Sequence, residues 1–294
     1  MTSDAQLLGP LLKQVSRSFY LTLRVLPAAI RPQISVAYLL ARATDTIADA
    51  EQTAQPERIA VLRELSAGRI SARPVVEQIG VAEATPAEAE LLKRLPAVFD
   101  CLATFAVEDQ RRIRELLHTI IGGQIFDLER FPGPPLNDDE LDRYTYMVAG
   151  CVGEFWTKMC QAHLPGLAAL SVVDGIRFGK GLQLVNILRD VAEDQRRGRQ
   201  YVTDVAAGLD QAAEHLDAGW RYTLAIPADQ KRLRLACVWP IWIGLKTLAR
   251  LRVNPAGRVK VSRGEVYWVM LESALLAGNA AALDEVYQRL RNGK

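Results

Sequence analysis

Gly181-Leu182-Gln183-Leu184-Val185-Asn186-Ile187-Leu188-Arg189-Asp190-Val191-Ala192-Glu193-Asp194 is the stretch that decides the fold. Its polar side chains recur at three- and four-residue intervals among apolar ones, the period of an amphipathic helix. At ~100° per residue, Gln183, Asn186, Asp190 and Asp194 fall within roughly 80° on one face. Two carboxylates therefore stand at i and i+4, with amides one and two turns upstream, and Arg196, Arg197 and Arg199 follow directly.

A second stretch repeats the device. In Tyr38-Leu39-Leu40-Ala41-Arg42-Ala43-Thr44-Asp45-Thr46-Ile47-Ala48-Asp49, the same arithmetic puts Tyr38, Arg42, Asp45 and Asp49 within roughly 60°. Leu39, Leu40, Ala43 and Ile47 are left for packing. Like charges at i and i+4 repel when isolated, so a cation is expected between the carboxylates; Arg42 and a divalent metal are the two candidates. One such pair is an ordinary surface pattern, but two in apolar helices suit diphosphate handling. Hard carboxylate oxygens hold Mg²⁺, which bridges to phosphate oxygens and neutralises charge as a carbon–oxygen bond ionises. A carbocation so formed needs an apolar cavity closed to water.

Working outward, helix formers fill the rest of the chain, and alternating β-branched runs are scarce. Phe131-Pro132-Gly133-Pro134-Pro135, His163-Leu164-Pro165-Gly166, Ile226-Pro227 and Asn254-Pro255-Ala256-Gly257 read as breaks between helices, and Asn137-Asp138-Asp139-Glu140 as a capped helix start. No linker, repeat or low-complexity tract divides the chain, so one all-α domain over 1–294 is expected. Hydrophobic residues at 49% with a net charge of +2 exclude a disordered chain and argue against nucleic-acid binding. Cys101, Cys151, Cys160 and Cys237 form no CxxC pair, which fits a reducing compartment. His118, His163 and His215 have no ligand spacing. Glu154 either faces a cavity or pairs with Lys158. The late tryptophans, among them Trp239, Trp242 and Trp268, are expected in the core, with a cavity wall or a membrane surface as alternatives. No segment is long and apolar enough to span a bilayer. The opening MTSDAQLLGP does not read as a secretory leader, and the charged ending Arg289-Leu290-Arg291-Asn292-Gly293-Lys294 does not read as an anchor.

In order along the chain, Ser16-Arg17-Ser18-Phe19, Asp45-Thr46-Ile47-Ala48-Asp49 preceded by Tyr38 and Arg42, Tyr144 through Val148-Ala149-Gly150-Cys151-Val152-Gly153, and Gln183 to Asp194 with Gly198-Arg199 resemble motifs of the squalene/phytoene synthase family of head-to-head prenyl transferases. The resemblance implies an all-α isoprenoid synthase bundle, with the two aspartate motifs facing each other at the mouth of a central cavity. It implies Mg²⁺ and diphosphate binding by Asp45, Asp49, Asp190 and Asp194. It implies phosphate contacts from Ser16, Arg17, Ser18, Arg42, Arg189 and Arg199, with Tyr38 and Tyr144 near the reacting carbons and Gln183 and Asn186 lining the site. Gly150 and Gly153 read either as close-packing residues or as a widening beside the substrate.

Cys237-Val238-Trp239-Pro240 with Thr247-Leu248, and Val259-Lys260-Val261-Ser262-Arg263-Gly264, resemble squalene synthase segments, the second implying that Lys260 and Arg263 hold NADPH phosphates. Ser262 stands where those enzymes usually carry a basic residue. The expected activity is condensation of two farnesyl diphosphates through presqualene diphosphate and NADPH-dependent reduction to squalene. Phytoene or dehydrosqualene synthesis without reductant, arrest at presqualene diphosphate, an inert scaffold and a simple terpene cyclase are the alternatives. A cytoplasmic monomer or weak dimer is expected, with peripheral contact to the inner face of a membrane left open.

Overall fold

The computed structural model describes residues 7–16, 19–69, 74–255 and 259–293. Among them every regular element is helical, and no helix is long and apolar enough to cross a membrane. The residues fall into two compact units, Met1–Arg24 with Ala28–Arg130, and Val25–Pro27 with Phe131–Lys294.

The first unit contains α1 (Leu12–Ser16), α2 (Phe19–Val25, whose last residue counts with the second unit), α3 (Arg31–Ala48), α4 (Gln55–Ser66), α5 (Pro74–Ala82), α6 (Pro86–Lys93), α7 (Leu95–Ala103) and α8 (Val107–Arg130). Helix α3 starts with Pro32 in its first turn, where a missing N–H costs nothing. Its apolar stripe, Leu39, Leu40, Ala43 and Ile47, is at most 1% exposed. That stripe packs against α4, α7 and α8, which contribute Leu62, Val98, Ile120 and Ile121 to the core. Tyr38, Arg42 and Asp45 lie half-buried and Asp49 exposed, so the polar stripe is turned away from the core.

The second unit contains α9 (Asp138–Thr145), a π-helical turn over Tyr146–Gly150, α10 (Cys151–His163), α11 (Val172–Arg196), α12 (Val205–Ala225), α13 (Lys231–Val253), α14 (Arg263–Leu276) and α15 (Ala280–Arg291). All four expected breaks end a helix: α8 at Arg130, α10 at His163, α12 at Ala225 and α13 at Val253. Asn137 caps α9 with Glu140 in a reciprocal capping box. The close-packing reading of the glycine segment holds. The chain widens into the π turn at Tyr146–Gly150. A Cβ on Gly153 would sit 1.9 Å from the Gly175 carbonyl oxygen, and one on Gly179 2.1 Å from that of Ala149, so α11 meets the π turn and α10 backbone to backbone. Trp239 and Trp242 are buried as expected, whereas Trp268 is 66% exposed. Glu154 accepts from Lys158 at 2.6 Å and from the Tyr146 hydroxyl at 2.8 Å.

Candidate active site

In the first unit α3 carries the acidic pair. Asp45 accepts a hydrogen bond from the Gln124 amide nitrogen at 2.6 Å, and the same nitrogen donates to the Thr44 hydroxyl at 3.1 Å. Burial and then the negative charge of Asp49 push the Asp45 carboxyl from its ordinary 3.8 up to about 6. Arg42, one of the two cations considered for this face, is ion-paired with Glu88 of α6. Glu88 is positioned by the Thr85 capping box that starts α6. Tyr38 stacks on Phe19 with ring centres 5.2 Å apart, and its hydroxyl donates to the Val15 carbonyl at 3.4 Å. The Ser16 hydroxyl donates back to the Leu12 carbonyl. Val15 and Phe19 are thus set against Tyr38, while Arg17 and Ser18 lie outside the described residues.

In the second unit Asp190 and Asp194 lie half-buried on the last turns of α11, with Gln183 half-buried and Asn186 exposed upstream. Arg189 forks onto Asp190 with bonds of 2.9 and 2.5 Å. The helix ends in a Schellman turn: Gly198 takes φ 74°, its N–H donates to the Gln195 carbonyl at 3.0 Å, and the Arg199 N–H donates to that of Asp194 at 2.8 Å. This turn explains the glycine before Arg199, because it folds the chain back beside Asp194. Asp194, Arg199 and Tyr201 share a small hollow. Tyr144 is buried with its ring stacked on Tyr201 at 5.0 Å, and its hydroxyl donates to the Tyr201 hydroxyl at 3.5 Å. Phe131 meets Tyr201 edge-on at 5.2 Å.

Lys260 and Arg263 are exposed at the start of α14. Ser262 between them is the N-cap, closing a capping box with Glu265, a role a basic side chain does not fill. Arg250 donates to the Lys260 carbonyl at 2.7 Å and pairs with Glu265.

Three partners escaped the reading of the sequence. Gln124 sits in the buried stripe of α8 with Leu117, Ile120, Ile121 and Leu128, and that polar residue at an apolar position was a usable signal. Glu88 and Tyr201 reach Arg42 and Tyr144 from 46 and 57 residues away, and no local pattern marks them.

The donor set fits Mg²⁺. Asp45 offers a half-buried carboxylate beside a second acid, and the Gln124 carbonyl oxygen is buried with no hydrogen-bond partner. Among the described residues no group of three or more His, Cys, Asp or Glu forms a self-contained metal site. The arrangement is two carboxylates with amide support, which leaves coordination positions for phosphate oxygens.

The family model for squalene/phytoene synthase matches residues 12–204. A bifunctional lycopene cyclase/phytoene synthase of Blakeslea trispora is 31% identical over 212 residues, 68% of this chain and 32% of that protein, so the chain spans about a third of that relative's length. A squalene synthase of Mus musculus is 24% identical over 313 residues, covering 96% of this chain and 73% of its own. A ligand complex of TcSQS shares the fold with a TM-score of 0.78 at 20% identity, over 98% of this chain and 91% of that one.

Proposed function

The chain belongs to the squalene/phytoene synthase family, and from that premise we propose that it condenses two molecules of farnesyl diphosphate head to head and reduces the presqualene diphosphate formed to squalene. The observation that carries the reading is the pair of aspartate helices. Each presents carboxylates at i and i+4 inside the matched region, one with a half-buried Asp45 raised to about 6 and one with Asp190 beside a forked arginine.

Asp45 and Asp49, and likewise Asp190 and Asp194, would hold Mg²⁺ and through it the diphosphate. Bound there, the metal supplies Lewis acidity to the leaving group. Arg42, Arg189 and Arg199 supply forked donors to phosphate oxygens, with Ser16, Arg17 and Ser18 as further contacts. The π-faces of Tyr38 and Tyr144 favour a passing carbocation, and Gln183 and Asn186 line the second motif. Lys260 and Arg263 are assigned to the phosphates of NADPH; the helix N-terminus they flank adds its own attraction for an anion.

A second reading, phytoene-type condensation without reductant, is favoured by the Blakeslea trispora relative. The two are separated by giving the purified protein C15 or C20 prenyl diphosphates with Mg²⁺, with or without NADPH, and identifying the products by mass spectrometry. Squalene formed only with NADPH, and presqualene diphosphate accumulating without it, support the first reading. A hydrocarbon made equally well without reductant replaces it with the second. Asp190→Ala is expected to abolish turnover while leaving the helical circular dichroism unchanged.

A further inference from the structure

Helix α14 is apolar on both sides, yet only one side is covered. Inward, Val269 and Ser273 are buried, and Ser273 accepts from the Trp239 indole N–H at 2.9 Å. Outward, Tyr267, Trp268, Leu271 and Leu275 are 68%, 66%, 50% and 79% exposed. Gly264 and Ala274 complete that face. At ~100° per residue these positions fall within an arc of roughly 120° and include no charged side chain. The exposed side of α8 shows the ordinary solution, with Arg111 paired to both Glu108 and Glu115. An apolar helix face of this width is normally covered by protein or by lipid.

Cations stand at both ends of this face. Lys260 and Arg263 are exposed at its start. At its end the Lys231 ammonium lies 3.4 Å from where a Cβ on Gly278 would be. The acids of the helix, Glu265 and Glu272, are on its flanks and paired with Arg250 and Arg289.

We propose that this face of α14 docks the protein on an anionic lipid surface, lying in the plane of the interface with Tyr267, Trp268, Leu271 and Leu275 inserted and Lys231, Lys260 and Arg263 against the headgroups. Amphipathic Tyr and Trp rings suit the boundary between water and acyl chains. A second copy of the chain fits less well. The four large side chains offer on the order of 500 Å² of apolar surface, against roughly 800 Å² per partner in a stable protein interface. A two-fold pairing through this face would also set cations against cations, with no acid on the face to meet them. The inference does not depend on the product assigned above.

The full-length protein is sedimented with phosphatidylcholine vesicles with or without phosphatidylglycerol, in the absence of NADPH because Lys260 and Arg263 are also assigned to its phosphates. Binding is expected to need phosphatidylglycerol, to weaken as salt is raised, and to fall by about tenfold or more in Trp268→Ser/Leu271→Ser. Both substitutions are at exposed positions, so circular dichroism should match the parent. Brominated lipid should quench the fluorescence of the unsubstituted protein, and this quenching should disappear in the double variant. Equal sedimentation of parent and double variant would overturn the proposal, as would failure of the parent to bind either vesicle. A parent dimer that the double variant dissolves would overturn it in favour of a second copy.

Discussion

Asp45 shows how the surroundings of a carboxylate set its affinity for protons. Burial and the neighbouring Asp49 raise its carboxyl to about 6, while Arg42 and Gln124 pull it the other way. Between pH ~4 and ~6 the folded chain keeps a proton that the unfolded chain has released, so this group's contribution to stability falls as pH rises through that window. Unfolding measured in EDTA should therefore show the parent losing on the order of 1–3 kcal/mol relative to Asp45→Asn between pH 4 and pH 6. Protons compete with Mg²⁺ for the same oxygens, so the Mg²⁺ concentration for half-maximal turnover should rise below pH ~6. A flat Mg²⁺ requirement from pH 5 to 8 would place the ion elsewhere. Gln124 holds the carboxylate at 2.6 Å with a neutral donor. Gln124→Leu removes that donor, and the apparent Mg²⁺ affinity should weaken roughly 10-fold or more. A calorimetric Mg²⁺ titration in the presence of inorganic diphosphate checks this without relying on turnover.

Helices and their breaks were legible because their causes are local. The apolar stripe of α3, the Asn137 cap and the four Pro/Gly stops depend on residues within a few positions of one another, and each appears where the pattern puts it. What neighbours what was not legible. Arg42 acts on Asp45 as a nearby positive charge, but the carboxylate it pairs with is that of Glu88, presented by another helix. Trp268 could be read as core, cavity wall or membrane surface, because a tryptophan among apolar residues gives no sign that its face of the helix stays uncovered. The glycines divide by the same logic. Gly153 has the Gly175 carbonyl at 1.9 Å from a would-be Cβ, whereas Gly122 within α8 has nothing within 4 Å. Gly153→Ala must push α10 and α11 apart, and should cost about 2–4 kcal/mol. Gly122→Ala removes only backbone freedom, and should stabilise by roughly 0.5–1 kcal/mol. Thermal melts of the two variants should move in opposite directions; a neutral Gly153→Ala would show that the two backbones leave room for a methyl group.

At the scale of the molecule, the sequence marked the Phe131–Pro135 run as punctuation but not as the place where one compact unit gives way to another. All five tryptophans lie beyond it, yet contact density is not written in composition. Of the residues assigned to the function proposed above, Asp45 belongs to one unit and Asp190 to the other. A ligand that binds only the folded chain stabilises it by mass action, by about 2.7 kcal/mol at a hundred times its dissociation constant. In a chain of this size that corresponds to a rise in Tm of roughly 3–8 °C. Mg²⁺ with a thio-substituted farnesyl diphosphate that cannot ionise should therefore produce such a shift, and the same compound in EDTA should give little. Asp45→Asn and Asp190→Asn should each remove most of it. Arg189 and Arg199 could in principle hold a diphosphate by their guanidinium groups alone; a full shift in EDTA would establish that, and would remove the metal from the account of both aspartate pairs.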